Sequence, residues 1–463
     1  MFKKIKKSTV SSPSDLSPSL SNVVPTMSPS ELYTFIEVLG YCGVNGYEAE
    51  MNHCVGLCKE ARKDINILAT VAQLHTFLYR TKHKHRLMRA VMKANSAWFK
   101  ILFDYTVPDT LAALRDDDGL NLYHRLSLLP SPMTRIPQRI EILNLLATRV
   151  PQLDMNEELA NSDIPPIVLA ARGDSLPLVN EYLKYWDKLD FHRIYNKNNS
   201  NIINVLVYLY VNNNRAIISL LKYLCNNVPD LNIDNIDKDG YSPLLYSTED
   251  GHTDIIKILL QYVPTRININ YQLPSTGYTA LHYAVIKNHV DTVRLLCRNP
   301  YVDLNSVDHQ HRTALFVALR LRNFDLVNEL LLYAPDRVDV NIRSNNGWTP
   351  LKSACLSNQL PIVRKLCKIS SLDFNQRDNQ GITSIMSAIF AMTIGHSIEI
   401  VKELLKYRNQ LNINIQDNFG NTALHYAYKC NNEEVIQLLL ATGIDQTIRN
   451  NEGELAKEIP YSQ

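Results

Sequence analysis

The chain has 463 residues, beyond the roughly 250 to 300 at which one hydrophobic core stops growing, so several domains or a stack of repeats are expected. With 45% hydrophobic and 20% charged residues and a formal net charge of +2, it shows no global bias toward nucleic acid or membranes. Its eight cysteines lack the density of a disulfide framework, which favours a reducing compartment.

Residues 1–28 combine a basic start, MFKKIKK, with a stretch dominated by Ser and Pro. This composition predicts a disordered tail; a nuclear address and a weak contact with anionic membrane are the alternatives. No apolar segment follows the basic start, so no Sec-type signal peptide is predicted. The longest apolar run near the middle, 205–211, is far shorter than the roughly 20 residues of a membrane-spanning helix.

Residues 29–81 have the apolar spacing of helices and read as a helical cap or a small domain. Cys42, His53, Cys54 and Cys58 raise the alternative of zinc, but a second ligand pair is missing, so no metal is predicted. The basic run KHKHR at 82–86 is more typical of a solvated helix face than of a nucleic-acid site.

Six segments farther along begin with Ser or Thr and carry Leu or Ile two residues later. They start at Ser242, Thr279, Thr313, Thr349, Thr383 and Thr422, at intervals of 37, 34, 36, 34 and 39 residues. A turn with Gly precedes five of them, an amphipathic helical pattern follows each, and alternating segments such as VDVN at 338–341 close the repeats. This pattern therefore predicts well-formed repeats in residues 237–450, each with a hairpin, a helix, a loop and a second helix.

Weaker copies of the repeat precede these. They begin at His85, Asn121, Pro165 and Asn204, which makes 82–236 a region of degenerate repeats. The end of the chain, 451–463, reads as a partial terminal repeat and tail.

On these motifs the chain resembles the ankyrin-repeat family, with about ten repeats of a period near 33 and a partial last one. The resemblance implies an all-α solenoid of stacked helix-loop-helix units with short β-hairpin connections. Two repeats depart from the pattern, because His311 replaces the turn Gly and the repeat at Asn204 has no Gly there. In family terms Thr279 and His282, like Thr422 and His425, match internal hydrogen-bond positions rather than catalytic groups.

Members of this family bind other proteins at the hairpin tips and the concave side of the first helices, so a protein partner is implied here. The residue after the turn varies along the chain, and we expect Tyr241, Tyr278, Arg312 and Trp348 to contact a partner. Packing of these side chains against the adjacent hairpin is the alternative. Further contact positions of the family correspond here to Ile286, Lys287, Arg320 and their neighbours. A basic patch including Arg312, Arg320 and Arg322 suggests an acidic segment on the partner.

No phosphate-binding loop, nucleophile elbow or metalloprotease motif is found, so neither catalysis nor a cofactor is predicted. The sequence favours a non-enzymatic interaction scaffold or adaptor, monomeric and cytoplasmic, without a small-molecule substrate. The alternative is an effector or enzyme with activity in residues 30–110 and repeats that select its target. Glu452, Glu454 and Glu458 loosely resemble glutamate-bearing secretion signals, which leaves open delivery into a host cell by an intracellular bacterium.

Overall fold

Pairs of short α-helices joined by turns make up the part of the chain that the structure describes. This computed structural model describes residues 108–128, 135–157, 164–195, 198–211, 213–333, 336–395 and 397–459, with scattered positions from 88 to 103. The chain divides into two compact units between Leu231 and Asn232. The predicted tail at 1–28, the predicted helices at 29–81 and the zinc hypothesis lie outside the described residues.

The first compact unit contains seven α-helices within its described ranges. They are α1 (Pro108–Ala112), α2 (Leu122–Ser127), α3 (Ile136–Arg149), α4 (Pro166–Arg172), α5 (Leu176–Leu183), α6 (Ile202–Tyr208) and α7 (Arg215–Asn227). From α2 onward they form first-and-second helix pairs, as the degenerate repeats predict.

The second compact unit continues with six such pairs. They are α8 (Pro243–Glu249) and α9 (Thr253–Leu259), α10 (Ala280–Ile286) and α11 (Val290–Arg298), α12 (Ala314–Arg320) and α13 (Phe324–Leu331), α14 (Pro350–Leu356) and α15 (Leu360–Leu366), α16 (Ser384–Ala391) and α17 (Glu399–Leu405), and α18 (Ala423–Lys429) and α19 (Glu433–Leu440). The predicted all-α fold is confirmed. None of the helices in the described ranges has the length and apolar character needed to cross a membrane.

Each helix pair buries its apolar stripe against its neighbours. In α11, Val293 and Leu296 are fully buried whereas Asp291 and Arg298 are exposed, as the spacing of three and four predicts. The first helices α8, α10, α12, α14, α16 and α18 pack consecutively against one another. Each repeat therefore covers the apolar face that its neighbour cannot bury alone.

Side-chain caps start the first helices. Thr279 accepts a hydrogen bond from the N–H of His282, and Ser242, Thr313 and Thr349 do the same for their own third helical residues. These hydroxyls therefore satisfy backbone N–H groups that have no partner within the helix.

The repeat that the sequence places at Asn204 begins three residues earlier. Asn201 caps α6 by accepting from the N–H groups of Ile203 and Asn204, and the Asn204 side chain accepts from the N–H of Asn201 at 3.1 Å. This pair occupies the place of Thr279 and His282. The sequence alignment was wrong here because Asn replaces both the capping hydroxyl and the His.

We call the turn before each first helix the tip of its repeat. Glycine in this turn lets the tips of neighbouring repeats approach closely. Gly381 has φ +81°, and a Cβ at this position would lie 2.6 Å from the backbone nitrogen of Asn418. That nitrogen donates to the carbonyl oxygen of Gln380 at 3.0 Å, while Asn418 Nδ2 donates to the carbonyl oxygen of Asn379 at 2.9 Å. All five turn glycines that the sequence places before these helices have positive φ, and their lack of a side chain leaves room for the next tip.

The alternating segments that close the repeats do not pair as β-strands. Within the described residues the isolated bridges are Tyr195 with Ser200 and Arg449 with Leu455, and no longer ladder forms. These alternating segments are too short to form a ladder of strand hydrogen bonds, because the chain turns into the tip of the next repeat within a few residues.

Asparagine side chains join these segments instead. Asn341 Nδ2 donates to the carbonyl oxygen of Ser371 at 2.7 Å, and its Oδ1 accepts from the N–H of Asp373 at 2.8 Å. The same two bonds to the following repeat recur at Asn270, Asn305 and Asn375. Each amide therefore replaces two backbone-to-backbone bonds of a strand pair.

Replacing Gly381 by Ala should destabilise the second compact unit by about 2–4 kcal/mol, because backbone strain adds to the collision with Asn418. Gly443→Ala is the matched control, since Gly443 has φ +80° with nothing within 4 Å of a Cβ. Urea unfolding followed by circular dichroism measures both variants. An equal decrease in the free energy of unfolding of both variants would contradict the importance of the close contact between neighbouring tips.

Replacing Asn341 by Ala should lower the free energy of unfolding by about 1–3 kcal/mol, because a backbone donor and acceptor both lose their partner. Asn341→Asp keeps the acceptor for Asp373 but places a carboxylate beside the carbonyl of Ser371, so it should not restore stability. Urea unfolding tests the pair. An unchanged midpoint in Asn341→Ala would show that water replaces the amide.

Candidate partner-binding site

Four aspartates shape the tips of four of the six repeats in the second compact unit. We call Asp237, Asp308, Asp378 and Asp417 the tip aspartates. In each, Oδ1 accepts from the backbone N–H groups two and four residues later, at 2.7–3.0 Å. The second of these N–H groups belongs to the residue after the turn, so the carboxylate fixes where that residue starts.

The other carboxylate oxygen accepts from a tyrosine in two of these repeats and from an arginine or a lysine in the other two. Asp237 and Asp417 accept from the hydroxyls of Tyr246 and Tyr426 at 2.8 Å. Asp308 accepts from Arg312 Nε at 2.8 Å, and Asp378 is paired with the ammonium of Lys352. All four aspartates are buried, and a buried carboxylate requires such donors.

We call Tyr241, Tyr278, Arg312 and Trp348 the tip column, because each follows the turn of its repeat. All four side chains are half-buried. The Tyr241 ring stacks on Tyr246 with 4.6 Å between centroids, and its hydroxyl lies 2.9 Å from that of Tyr283. Contacts within the compact unit therefore hold one part of the ring and leave the rest exposed to solvent.

The next three members are held in the same way. Tyr278 stacks on His282 with 5.8 Å between centroids, and its hydroxyl accepts from Arg312 Nη2 at 3.2 Å. The ammonium of Lys352 lies 5.8 Å from the centre of the Trp348 ring. Both expected features, exposure and packing against neighbours, thus occur in the same side chains.

Two tyrosines of this surface were missed at the sequence level. Tyr246 and Tyr283 stand four residues after the capping residues Ser242 and Thr279 and pack against the tip column. Burial raises the pKa of both hydroxyls, so they remain protonated hydrogen-bond donors near neutral pH. Tyr426 stands four residues after Thr422, and this recurrence of Tyr is the sequence signal by which the position could have been found.

The predicted contacts at the ends of the first helices lie in different environments. Ile286 is half-buried, and Lys287 pairs with Glu249 at 3.0 Å. Arg320 is exposed. Of the predicted basic patch, Arg312 is neutralised by Asp308, at 2.6 Å from Nη2, whereas Arg320 and Arg322 have no acidic partner among the residues that the structure describes.

His282 uses both ring nitrogens inside the compact unit. Its Nε2 lies 2.9 Å from the carbonyl oxygen of Arg312 and therefore donates, which leaves Nδ1 to accept from the N–H and hydroxyl of Thr279. His425 bonds to Thr422 and Glu454 in the same way. Neither ring nitrogen of these buried residues is free for a substrate. Among the described residues no group of acidic, His and Cys side chains could hold a metal ion.

These features define a helical repeat protein whose tips present side chains to solvent. A family model described as "Ankyrin repeats (3 copies)" matches residues 167–272, 206–308, 261–343, 301–378 and 369–450. The chain belongs to the ankyrin-repeat family. Ankyrin repeats are protein-interaction modules, so a protein-binding surface is the general property of the fold.

Similar proteins have varied origins. The chain is 35% identical over 122 residues to alpha-latrotoxin-Lg1a of Latrodectus geometricus, which covers 26% of this chain and 8% of the toxin. It is 32% identical over 162 residues to the putative ankyrin repeat protein FPV031 of fowlpox virus, covering 34% and 46%. With neurogenic locus notch homolog protein 1 of Homo sapiens, identity is 28% over 150 residues, covering 32% and 6%. The chain thus spans less than half the length of these relatives.

Among solved structures, the ankyrin repeat domain of Bcl-3 matches with 24% identity and a TM-score of 0.43. The match covers 49% of this chain and 96% of that domain.

The buried, hydrogen-bonded imidazole of His282 should make the free energy of unfolding depend on pH. Burial lowers the pKa of this imidazole below its usual value, so the folded chain binds fewer protons than the unfolded chain. This contribution is complete above about pH 6.5 and is lost as the pH falls below that value. In His282→Gln, whose amide oxygen still accepts from Thr279, the free energy of unfolding should fall less steeply from pH 7 to pH 5.

Urea unfolding at several pH values gives these slopes. His309→Gln is the control, because His309 is exposed in a neighbouring tip. Identical slopes for His282→Gln and the unmodified chain would contradict the role of the buried imidazole.

Proposed function

We propose that this chain is a non-enzymatic scaffold or adaptor that docks a segment of another protein across the tip column and the exposed ends of the first helices. The observation that carries the proposal is the tip column itself. Four consecutive repeats present Tyr, Tyr, Arg and Trp at one equivalent position, each half-exposed and each fixed by a neighbour.

The chemistry of these side chains supports a binding role. Tyr, Trp and Arg are enriched at the centres of protein interfaces, because they bury a large area with few rotatable bonds. Stacking and hydrogen bonds have already restricted the rings of Tyr241 and Tyr278, so little conformational entropy remains to be lost on binding. A surface fixed in this way favours docking with little rearrangement.

The position varies in residue type because the turn is held through the backbone N–H of this residue. A tip aspartate holds the backbone N–H of Tyr241 and Arg312, as it does for Ile382 and Asn421 at the same place in later repeats. The hydroxyls of Thr276 and Ser344 hold the backbone N–H of Tyr278 and Trp348. The backbone therefore keeps its geometry whichever side chain stands there. Variation at such a position can select a partner without altering the repeat.

Alanine substitution at Tyr278 and Trp348 tests the proposal. Proteins crosslinked to the full chain in a lysate should be recovered at least tenfold less by Tyr278→Ala and Trp348→Ala, the loss expected for about 1.4 kcal/mol or more at a hot spot. Tyr301→Ala is the control, because Tyr301 is 53% exposed and lies outside the tip column.

Thermal unfolding of each variant separates loss of binding from loss of structure. Recovery of the same proteins by Trp348→Ala, Tyr278→Ala and the unmodified chain would show that the tip column only packs against its neighbours.

A further inference from the structure

One repeat, from Asp308 to Asn341, departs from its neighbours at two turn positions, and both departures are basic. In the tip, His311 adopts φ +57° where Gly240, Gly277 and Gly347 stand in other repeats. Between the two helices, Arg322 adopts φ +55°. Nine residues after the cap, where Arg322 stands, the other repeats with a residue at positive φ in this compact unit have Gly251, Asn288, Asn358 and Asn431.

The backbone conformation of Arg322 is unfavourable for its residue type. Gly adopts positive φ without a steric penalty and Asn is enriched there, whereas a long side chain gains nothing from it. Strain that persists at one position in a series of relaxed equivalents points to a function for the side chain.

The side chains around Arg322 are also exposed. We call Arg320, Leu321, Arg322 and Phe324 the arginine patch. Leu321 is 52% exposed and Phe324 is 46% exposed, and both arginines are exposed as well. Four nearly consecutive positions thus present apolar and cationic groups to solvent.

Neither arginine of the patch has a carboxylate partner. Within the described residues, no acidic oxygen lies within 4.0 Å of Arg320 or Arg322, and the nearby exposed Asp325 forms no ion pair with them. In the same compact unit Arg312 is paired with Asp308 and Arg294 with Glu329. The patch therefore has uncompensated positive charge.

Apolar side chains continue the patch to both sides. Ile286 and Leu356 occupy the position equivalent to Arg320 in the preceding and following repeats, and both are half-buried. Because α10, α12 and α14 pack consecutively, these side chains flank Arg320. Apolar side chains thus lie on both sides of two arginines that have no acidic partner in the described part of the chain.

We propose that the arginine patch binds an acidic segment of the partner protein, with Asp or Glu carboxylates on Arg320 and Arg322 and an apolar side chain on Leu321 and Phe324. The inference rests on the proposed function, since it assigns a chemistry to one part of the docking surface. Guanidinium groups bind carboxylates in a bidentate manner, and complementary charge selects the partner and speeds its encounter.

Selection from a displayed library of random 12-residue peptides against the full chain tests the assignment. Enriched peptides should combine Asp or Glu with apolar residues. Their affinity, measured by fluorescence anisotropy on synthetic copies, should fall at least tenfold in the double variant Arg320→Glu, Arg322→Glu. The double variant Lys257→Glu, Arg298→Glu is the matched control, because it makes the same charge change at exposed positions of the second helices.

A further variant distinguishes binding from architecture. Arg322→Asn introduces the residue found at the equivalent positions 288, 358 and 431, so it should raise the midpoint of thermal unfolding while it weakens peptide binding. A residue with a purely structural role would not separate these two effects. An unchanged affinity in Arg322→Asn and in the double reversal would overturn the inference.

The other outcomes are also decisive. Enriched peptides without acidic residues, whose binding requires Trp348 but not Arg320 or Arg322, would overturn this inference and leave the proposed function standing. Displacement of the peptides by a 12-nucleotide oligo-uridine at similar concentration would assign the patch to nucleic acid instead. Failure to enrich any peptide would contradict both the inference and the proposed function.

Discussion

The geometry of four tips in the second compact unit depends on one interaction, the acceptance of two backbone N–H groups by a buried carboxylate oxygen. In the repeat that begins at Asp237, this oxygen binds the N–H groups of Asp239 and Tyr241 and so closes the turn. Because the carboxylate binds the backbone N–H of Tyr241, the Tyr241 side chain can make other contacts. Different side chains can therefore stand at this position while the backbone of the turn keeps the same geometry.

Hydrogen bonds from polar side chains also hold neighbouring repeats together. Helices of seven to nine residues are too short to be stable alone in water, so the repeats must be joined to one another. The asparagines at 341 and 418 make these joints by bonding to backbone groups of a neighbouring repeat. The frequent Asn of this chain thus has a structural purpose that composition alone does not reveal.

The surface next to this framework has two electrostatic characters. Around Tyr241 and Tyr278 the charges are compensated, since Lys287 pairs with Glu249 and Arg312 with Asp308. No acidic side chain in the described ranges pairs with Arg320 or Arg322. A neutral aromatic region beside a cationic apolar one can order a partner segment along the repeats, because each end of the segment meets a different chemistry.

The sequence by itself determined the repeat, its helix pairs, the capping Thr279 and the left-handed turn at Gly381, because period, polarity and glycine placement are local properties. It also identified the tip column, although not the packing of Tyr246 and Tyr283 against it. The start of the repeat at Asn201 was missed, since two asparagines there replace both marker residues. Only the tertiary structure decided that Arg312 is neutralised while Arg320 and Arg322 are not, because ion pairing depends on which side chains folding brings within reach.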